Sequence, residues 1–368
     1  MRITNIAIYT HDLTVAQGMY RMSHSAITTL QSTLVKITSD TGLVGWGETC
    51  PVGPVYQPQH ALGAQAALIQ MAQGLIGADP TKIGVLHHRM DGLLTGHNYA
   101  KAALDIAAHD LTGKFFNVPV AELIGGALTN RVPAYFSISA GSPEATAETA
   151  AMRVAEGYRR LQLKISGRPV QDDIAAVRAV AQRVRGAVRL VVDANRGMLM
   201  RDVIELSSQC EDIPFILEQP CNMLEENVAV RQRVRHPVYL DESTENTSVV
   251  LHTVGQQLCD GFGMKVTRVG GIRPMSLVRD VCQIRSMPHT VDDSWGGDII
   301  AAACVHVGAT VRPDLYEGTW IAEPFTGPTY DPRNPVRVVD GVTPVPEGPG
   351  LGVLPDEHLL GAPIAEFS

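Results

Sequence analysis

Apolar and polar positions alternate along "STLVKITSDTGLVGWGE" (32–48), with a break at Asp40-Thr41-Gly42. A period of two predicts strands with one buried face, and the Asp-Thr-Gly break predicts a hairpin. The N-terminal "MRITNIAIYTHDL" alternates in the same way, so residues 1–60 read as an antiparallel meander. Over 61–125 the spacing lengthens to a helical period, rich in Ala and Leu. It stops at "ELIGG", where two glycines end the last helix. Strands first and helices second predict an α+β unit.

From about residue 130 short apolar runs alternate with helical stretches. The strands are "VPAYFSISA", "RLQLKIS", "VRLVVDAN", "PFILEQP", "VYLDES", "GFGMKVT", "MPHTVDDS" and, less clearly, "LYEGTW". "ETAAMRVAEGY" and "QDDIAAVRAVAQRV" exemplify the helices between them. This repetition is α/β, and eight strands favour closure into a (β/α) barrel over a doubly wound sheet. The division predicted is an α+β domain over 1–128 and a barrel over 129–324. A Pro/Gly-rich tail, 325–368, folds back on the first domain.

A chain of 368 residues, 45% hydrophobic, can bury a sizeable core. Its net charge of −8 and the lack of any Lys/Arg run argue against a nucleic-acid partner. The six cysteines are scattered without C-x-x-C spacing, which predicts reduced thiols rather than a disulfide framework. No signal-like apolar segment opens the chain and no run is long enough to span a membrane. A soluble, cytoplasmic protein with no membrane partner is expected.

Chemistry in such a barrel gathers where strands end. Those ends carry Lys164, Asp193, Glu218, Asp241, Lys265 and the pair Asp292/Asp293, and the first five are 29, 25, 23 and 24 residues apart. Each step is one βα repeat, so five consecutive units bring a charged residue to one rim. Any one carboxylate could cap a helix. Three in consecutive units, flanked by lysines, predict oxygen ligands for a hard cation such as Mg²⁺. Lys164 and Lys265 then face each other across the mouth and can act on both faces of one carbon. A proton beside a carboxylate is very weakly acidic, so the metal must stabilise an enediolate and the lysine pKa values must be lowered.

"KIS", "VVDAN", "ILEQP", "YLDES" and "MKVTRVGG" together resemble the muconate-lactonizing-enzyme subgroup of the enolase superfamily. "AKAALDIAAHDLTGKFFNVPVAELIGG" is similar to that subgroup's capping domain. The resemblance implies a modified TIM barrel under an N-terminal α+β capping domain. It implies Mg²⁺ on Asp193, Glu218 and Asp241, with Lys164 and Lys265 as the acid/base pair. "GWGETCPVGPVY", "RMDGLLTGHNYAKAA", "CDGFGMKVTRVGG" and "DDSWGGDIIAAAC" resemble members that epimerise hydroxyproline betaine and proline betaine. The implied activity is a racemase/epimerase inverting the α-carbon of such a carboxylate. A cis-3-hydroxyproline-type dehydratase on the same scaffold is the alternative, and a non-catalytic betaine-binding protein a remote one.

The expected partner is a small carboxylate with a quaternary or cyclic amine, bound by a homo-oligomer. A quaternary ammonium cannot donate a hydrogen bond and is held by aromatic faces and nearby negative charge. Tyr56 and Trp320 are the candidate walls and Asp292 or Asp293 the counter-charge, while Trp295 reads as packing behind the seventh strand. Alternatively, Asp292 or Asp293 caps the helix starting near Asp298. The resemblance implies lids at 13–26 and 50–58. His289 reads as a structural strand residue. The subgroup's Lys-x-Lys is Gln162-x-Lys164 here, and Ser166 replaces a usual Gly.

Overall fold

The computed structural model describes residues 1–16, 18–22, 25–326 and 329–368. Strands β1 (Ile3–Thr14), β2 (Thr29–Ser39) and β3 (Val44–Thr49) form the antiparallel meander. The β2–β3 turn contains Gly42 at a φ of 80°, which the Asp-Thr-Gly break foretold. Helices α1 (Ala61–Ala72), α2 (Ile83–Leu93) and α3 (Asn98–Phe116) cover one face of the sheet. A Cβ at Gly47 would stand 1.8 Å from the Ala103 carbonyl oxygen, so β3 can lie this close to α3 only with glycine there.

The second domain alternates strand and helix. Its elements are β4 (Phe136–Ile138), α4 (Pro143–Ala155), β5 (Arg160–Lys164), α5 (Val170–Val184), β6 (Arg189–Asp193) and α6 (Met200–Gln209). Then follow β7 (Ile216–Glu218), α7 (Leu224–Arg231), β8 (Val238–Leu240), α8 (Thr247–Gln256), β9 (Gly261–Phe262), α9 (Ile272–Ile284) and α10 (Asp298–Gly308). The six strands pair in parallel in chain order. The seventh and eighth positions are isolated bridges: His289 pairs with Phe262 and Tyr316, and Thr319 with Ala134 beside β4. The sheet closes on itself, a barrel with two abbreviated staves.

Leu161 and Leu163 of β5 pack into the apolar cluster that includes Ile174, Val177 and Val180 of α5. The alternate residues Arg160, Gln162 and Lys164 therefore face the barrel interior, because successive side chains leave a strand on opposite sides. All five residues of this strand are buried. The apolar face of β5 meets helices, and its polar face, with Lys164, is the inside.

Two buried carboxylates join the domains. Glu48, at the end of β3, accepts hydrogen bonds from Gly297 N at 2.8 Å and Ile300 N at 3.1 Å, at the start of α10. It also accepts from Ser32 Oγ at 2.5 Å and from Tyr330 Oη. Asp105 of α3 accepts Ile272 N at 2.6 Å at the start of α9. A Cβ at Gly271, whose φ is 113°, would meet this carboxylate at 2.3 Å. Helix N-termini attract such anions through their free N–H groups. The tail returns as well: Ala365–Phe367 pairs antiparallel with β1, and Val342–Pro344 with Arg131–Pro133. All six cysteines are free and buried. No helix among the described residues is long and apolar enough to cross a membrane.

Candidate active site

Strand register sets the rim. Lys164 of β5 pairs with Asp193 of β6, and Asp193 with Glu218 of β7. Asp241 directly follows β8, and Lys265 bridges to Asp292 three residues beyond β9. The Lys164 ammonium donates to Asp193 Oδ2, while Asp193 Oδ1 accepts Asn195 N at 2.8 Å. Glu218 Oε1 accepts Gln162 Nε2 at 2.8 Å; its Oε2 has no hydrogen-bond partner and lies 3.6 Å from Arg160 Nη2. Asp241 Oδ1 accepts Arg268 Nη1 at 2.5 Å, and Oδ2 accepts Tyr56 Oη at 3.1 Å with Lys265 Nζ 3.4 Å away.

Among the described residues no three His, Cys, Asp or Glu side chains already close around one point as a metal-ligand set. The three carboxylates instead spend oxygens on Lys164, Gln162 and Arg268. Their mutual influence is nonetheless strong. Burial, then the charges of Asp193 and Asp241, push Glu218 up to about 7 against the pull of Arg160 and Lys265. A buried carboxylate oxygen without a hydrogen-bond partner, beside two more carboxylates, is the donor chemistry a hard divalent cation satisfies. Asp193, Glu218 and Asp241 thus fit such an ion.

Burial alone would lower both lysines. At Lys164 the influence of Asp193, Tyr20 and Glu218 together outweighs burial, and at Lys265 that of Asp241, Asp292 and Glu218 does, so both are held above the ordinary lysine value. The lowering required of a catalytic base is not present in this arrangement, because the carboxylates that would serve a metal serve the ammonium groups instead. Asp241 itself, despite burial, is pulled down to about 2 by Lys265 and Arg268.

Both lysines line one cavity of about 30 Å³, with Tyr20, Met22, Val52, Tyr56, Ser137, Gln162, Asp293, Trp295 and Trp320 among its walls. That volume holds about two water molecules. Met22 and Tyr20 come from the first expected lid, of which residues 17, 23 and 24 lie outside the described residues; Val52 and Tyr56 come from the second. Trp295 is on the wall rather than behind it, in an aromatic cluster with Tyr20 and Trp320 at centroid distances of 5.5 Å each. Of the acid pair, only Asp293 reaches the cavity. Asp292 stands behind it, accepting Tyr135 Oη at 2.9 Å and Trp320 N at 2.7 Å. Neither caps α10, since Glu48 does; Asp293 accepts Thr267 N at 2.8 Å instead. His289 is fully buried, away from this wall, and burial lowers it to about 4.

Several contributors were not singled out from the sequence. Arg268 follows Lys265 by three residues in "KVTRVGG", and that spacing on a rim was a usable signal. Arg160 is inward by the same alternation as Lys164. Its guanidinium lies 4.1 Å over the Tyr135 ring, with Nε 3.8 Å from Glu317. Glu242, bonded by Asn195 Nδ2 at 2.9 Å, is pushed up to about 8 by burial and by Asp241 and Asp193. Nothing in sequence distinguishes it from its neighbour.

Residues 144–359 match the family model described as enolase C-terminal domain-like. Residues 5–125 match the mandelate racemase/muconate lactonizing enzyme N-terminal domain. The chain is 36% identical over 371 residues to a cis-3-hydroxy-L-proline dehydratase of Roseibium aggregatum, covering 100% of each. It is 26% identical over 315 residues to an N-succinyl-L-Arg/Lys racemase of Bacillus cereus, covering 83% of this chain and 84% of that one. A mandelate racemase/muconate lactonizing enzyme-type protein of Roseovarius nubinhibens ISM, crystallised with magnesium, superimposes with a TM-score of 0.94. It is 31% identical and covers 100% of both chains.

Proposed function

Since the chain belongs to the mandelate racemase/muconate lactonizing enzyme family of the enolase superfamily, we propose that it dehydrates a cyclic 3-hydroxy-α-amino carboxylate of the cis-3-hydroxyproline type. The observation that carries this reading is the convergence of two lysines on one small cavity above three buried carboxylates. The full-length likeness to a hydroxyproline dehydratase supports this outcome over simple inversion.

Asp193, Glu218 and Asp241 would hold a Mg²⁺ ion, which would supply positive charge to offset the negative charge that collects on the substrate carboxylate during Cα–H cleavage. Lys164 or Lys265, in its neutral form, accepts the α-proton; which one acts depends on the face that carries it. Burial favours the neutral form once the charges of Asp193 and Asp241 are otherwise engaged. The Cα–H electron pair forms the Cα–Cβ double bond, the Cβ–O bond breaks, and a lysine ammonium returns a proton so that water leaves. The product is an enamine that tautomerises to the cyclic imine. Tyr20, Trp295 and Trp320 close over the substrate and exclude bulk water.

A second reading, inversion of a proline betaine, is favoured by one observation. The wall offers aromatic faces, whereas the Asp293 carboxylate already accepts from Thr267 and Ser294. A quaternary ammonium, which donates no hydrogen bond, suits such a wall. Incubation of the Mg²⁺-supplemented protein with cis-3-hydroxyproline and with proline betaine, followed by NMR, separates the two. Loss of water from the first supports dehydration; inversion of the second without it supports epimerisation; neither refutes both.

A further inference from the structure

Gln162 occupies the inner face of β5 two residues before Lys164, and its side-chain amide is fixed at both ends. Ser137 Oγ donates to Gln162 Oε1 at 2.5 Å, and Gln162 Nε2 donates to Glu218 Oε1 at 2.8 Å. In its ionised form Glu218 accepts only, so the amide then presents its NH₂ to Glu218 and its oxygen to the Ser137 hydroxyl. Ser137 and Gln162 are 3% and 2% exposed, so both contacts are shielded from bulk solvent. Glu218 is thereby oriented by a neutral donor.

The consequence is a matter of charge. Among the described wall residues of the cavity, Lys164 and Lys265 are the cations and Asp293 the anion. Gln162 lines the same cavity as the aromatic residues Tyr20, Trp295 and Trp320. Thr319, preceding Trp320, bonds to Tyr135, and Ser137 on the next stave pairs with Gln162. A ring nitrogen resting on those faces therefore meets an uncharged amide, while the substrate carboxylate is directed toward Asp193, Glu218 and Asp241.

We propose that Gln162 is a positioning and specificity residue, orienting Glu218 without adding positive charge and so admitting substrates whose α-nitrogen is cationic. The inference rests on the carboxylate-toward-metal reading above, and it extends to either reaction outcome. An ammonium at this position would share the wall of one small buried cavity with a bound substrate cation. Two like charges about 5 Å apart at an effective dielectric near 20 repel by enough to change affinity on the order of a hundredfold.

The test is titration calorimetry on Mg²⁺-supplemented wild type, Gln162→Met and Gln162→Lys. Two probes of similar size are used: L-proline betaine, with a permanent charge on nitrogen, and N-acetyl-L-proline, with none. Wild type is expected to prefer the betaine by at least about tenfold. Gln162→Met should keep that preference within about threefold while binding Mg²⁺ more weakly, because Glu218 loses its donor. Gln162→Lys should shift the preference toward the acetyl probe on the order of a hundredfold.

No preference in wild type, no binding of either probe, loss of the preference in Gln162→Met, or equal weakening of both probes in Gln162→Lys would each overturn the proposal. Should Gln162→Lys fail to fold, the wild-type and Gln162→Met ratios still decide it. A preference retained by a protein that turns over no proline derivative would sink the proposed reaction and leave this inference standing. Turnover without the preference would do the reverse.

Discussion

Replacing Glu48 with alanine removes one carboxylate and strands four donors. Two are backbone N–H groups, Gly297 and Ile300, in the first turn of α10; two are the Ser32 and Tyr330 hydroxyls. The hydroxyls can turn toward other acceptors, but the N–H groups are fixed by the helix. Each buried donor left without an acceptor costs about 1–3 kcal/mol, and an anion partly buried at a helix N-terminus contributes up to about 2 kcal/mol. We expect Glu48→Ala to destabilise the protein by about 4 kcal/mol. Glu48→Gln should cost about half of that, because one oxygen still accepts while the NH₂ faces a donor. The effect should extend to catalysis: α10 begins three residues after Trp295, which walls the cavity. Urea unfolding of the two variants and wild type, followed by tryptophan fluorescence, measures the difference directly. An alanine variant within 0.5 kcal/mol of wild type, taken as about the scatter of surface substitutions, would refute the reasoning. So would a glutamine variant less stable than the alanine one.

Arg268→Met should cost about 3–5 kcal/mol in the same assay, because it leaves the buried Asp241 carboxylate, Thr244 and the Gly263 carbonyl without the guanidinium that binds all three. Burial, offset by hydrogen bonds from Thr329 and Val336, holds Asp298 at about 6 against an ordinary 3.8. The folded state thus keeps this proton longer than the unfolded state. The contribution is fully present below about pH 3.8 and is lost as pH rises through 6. Asp298→Asn should therefore flatten the fall in unfolding free energy between about pH 4 and 7 by up to about 3 kcal/mol, measured as urea midpoints across pH. Chelation with EDTA should abolish exchange of the substrate α-proton. Mg²⁺ at a hundred times its Kd should restore exchange and raise unfolding free energy by about 2.7 kcal/mol; an unchanged melting curve would count against the carboxylate site.

Much of the site is written in strand periodicity. Arg160, Gln162 and Lys164 share a face because strands alternate, and Lys164, Asp193, Glu218, Asp241 and Lys265 share a rim because βα units repeat at 23–29 residues. The hairpin at Gly42 and the glycine stop after Glu122 are equally local and were readable. Less readable were choices made by distant contacts. Adjacent Asp292 and Asp293 point in different directions, and contacts from the distant Tyr135 hydroxyl and Trp320 N show that Asp292 faces into the wall. Trp295 is a wall rather than backing because Tyr20, from a loop far upstream, packs against it. The two last staves shrink to bridges, which no apolar run in "LYEGTW" could reveal. The lysine pKa values depend on which charge engages Asp193 and Asp241, a property of occupancy rather than of spacing. In the proposed mechanism, dehydration and inversion begin with the same proton removal by the same residues, so the sequence of the site leaves both open. One full-length relative, 36% identical, is a cis-3-hydroxy-L-proline dehydratase.

We propose that Lys164 and Lys265 exchange protons with one substrate carbon from opposite faces. It is tested most directly by ¹H NMR in D₂O, with Mg²⁺ and both enantiomers of proline betaine, on wild type, Lys164→Ala and Lys265→Ala. Wild type should replace the α-proton of either enantiomer with deuterium. Each single variant should lose exchange on the enantiomer whose proton faces the missing lysine, by on the order of 10²-fold or more. Lys164→Ala exchanging both enantiomers at the wild-type rate would contradict the account.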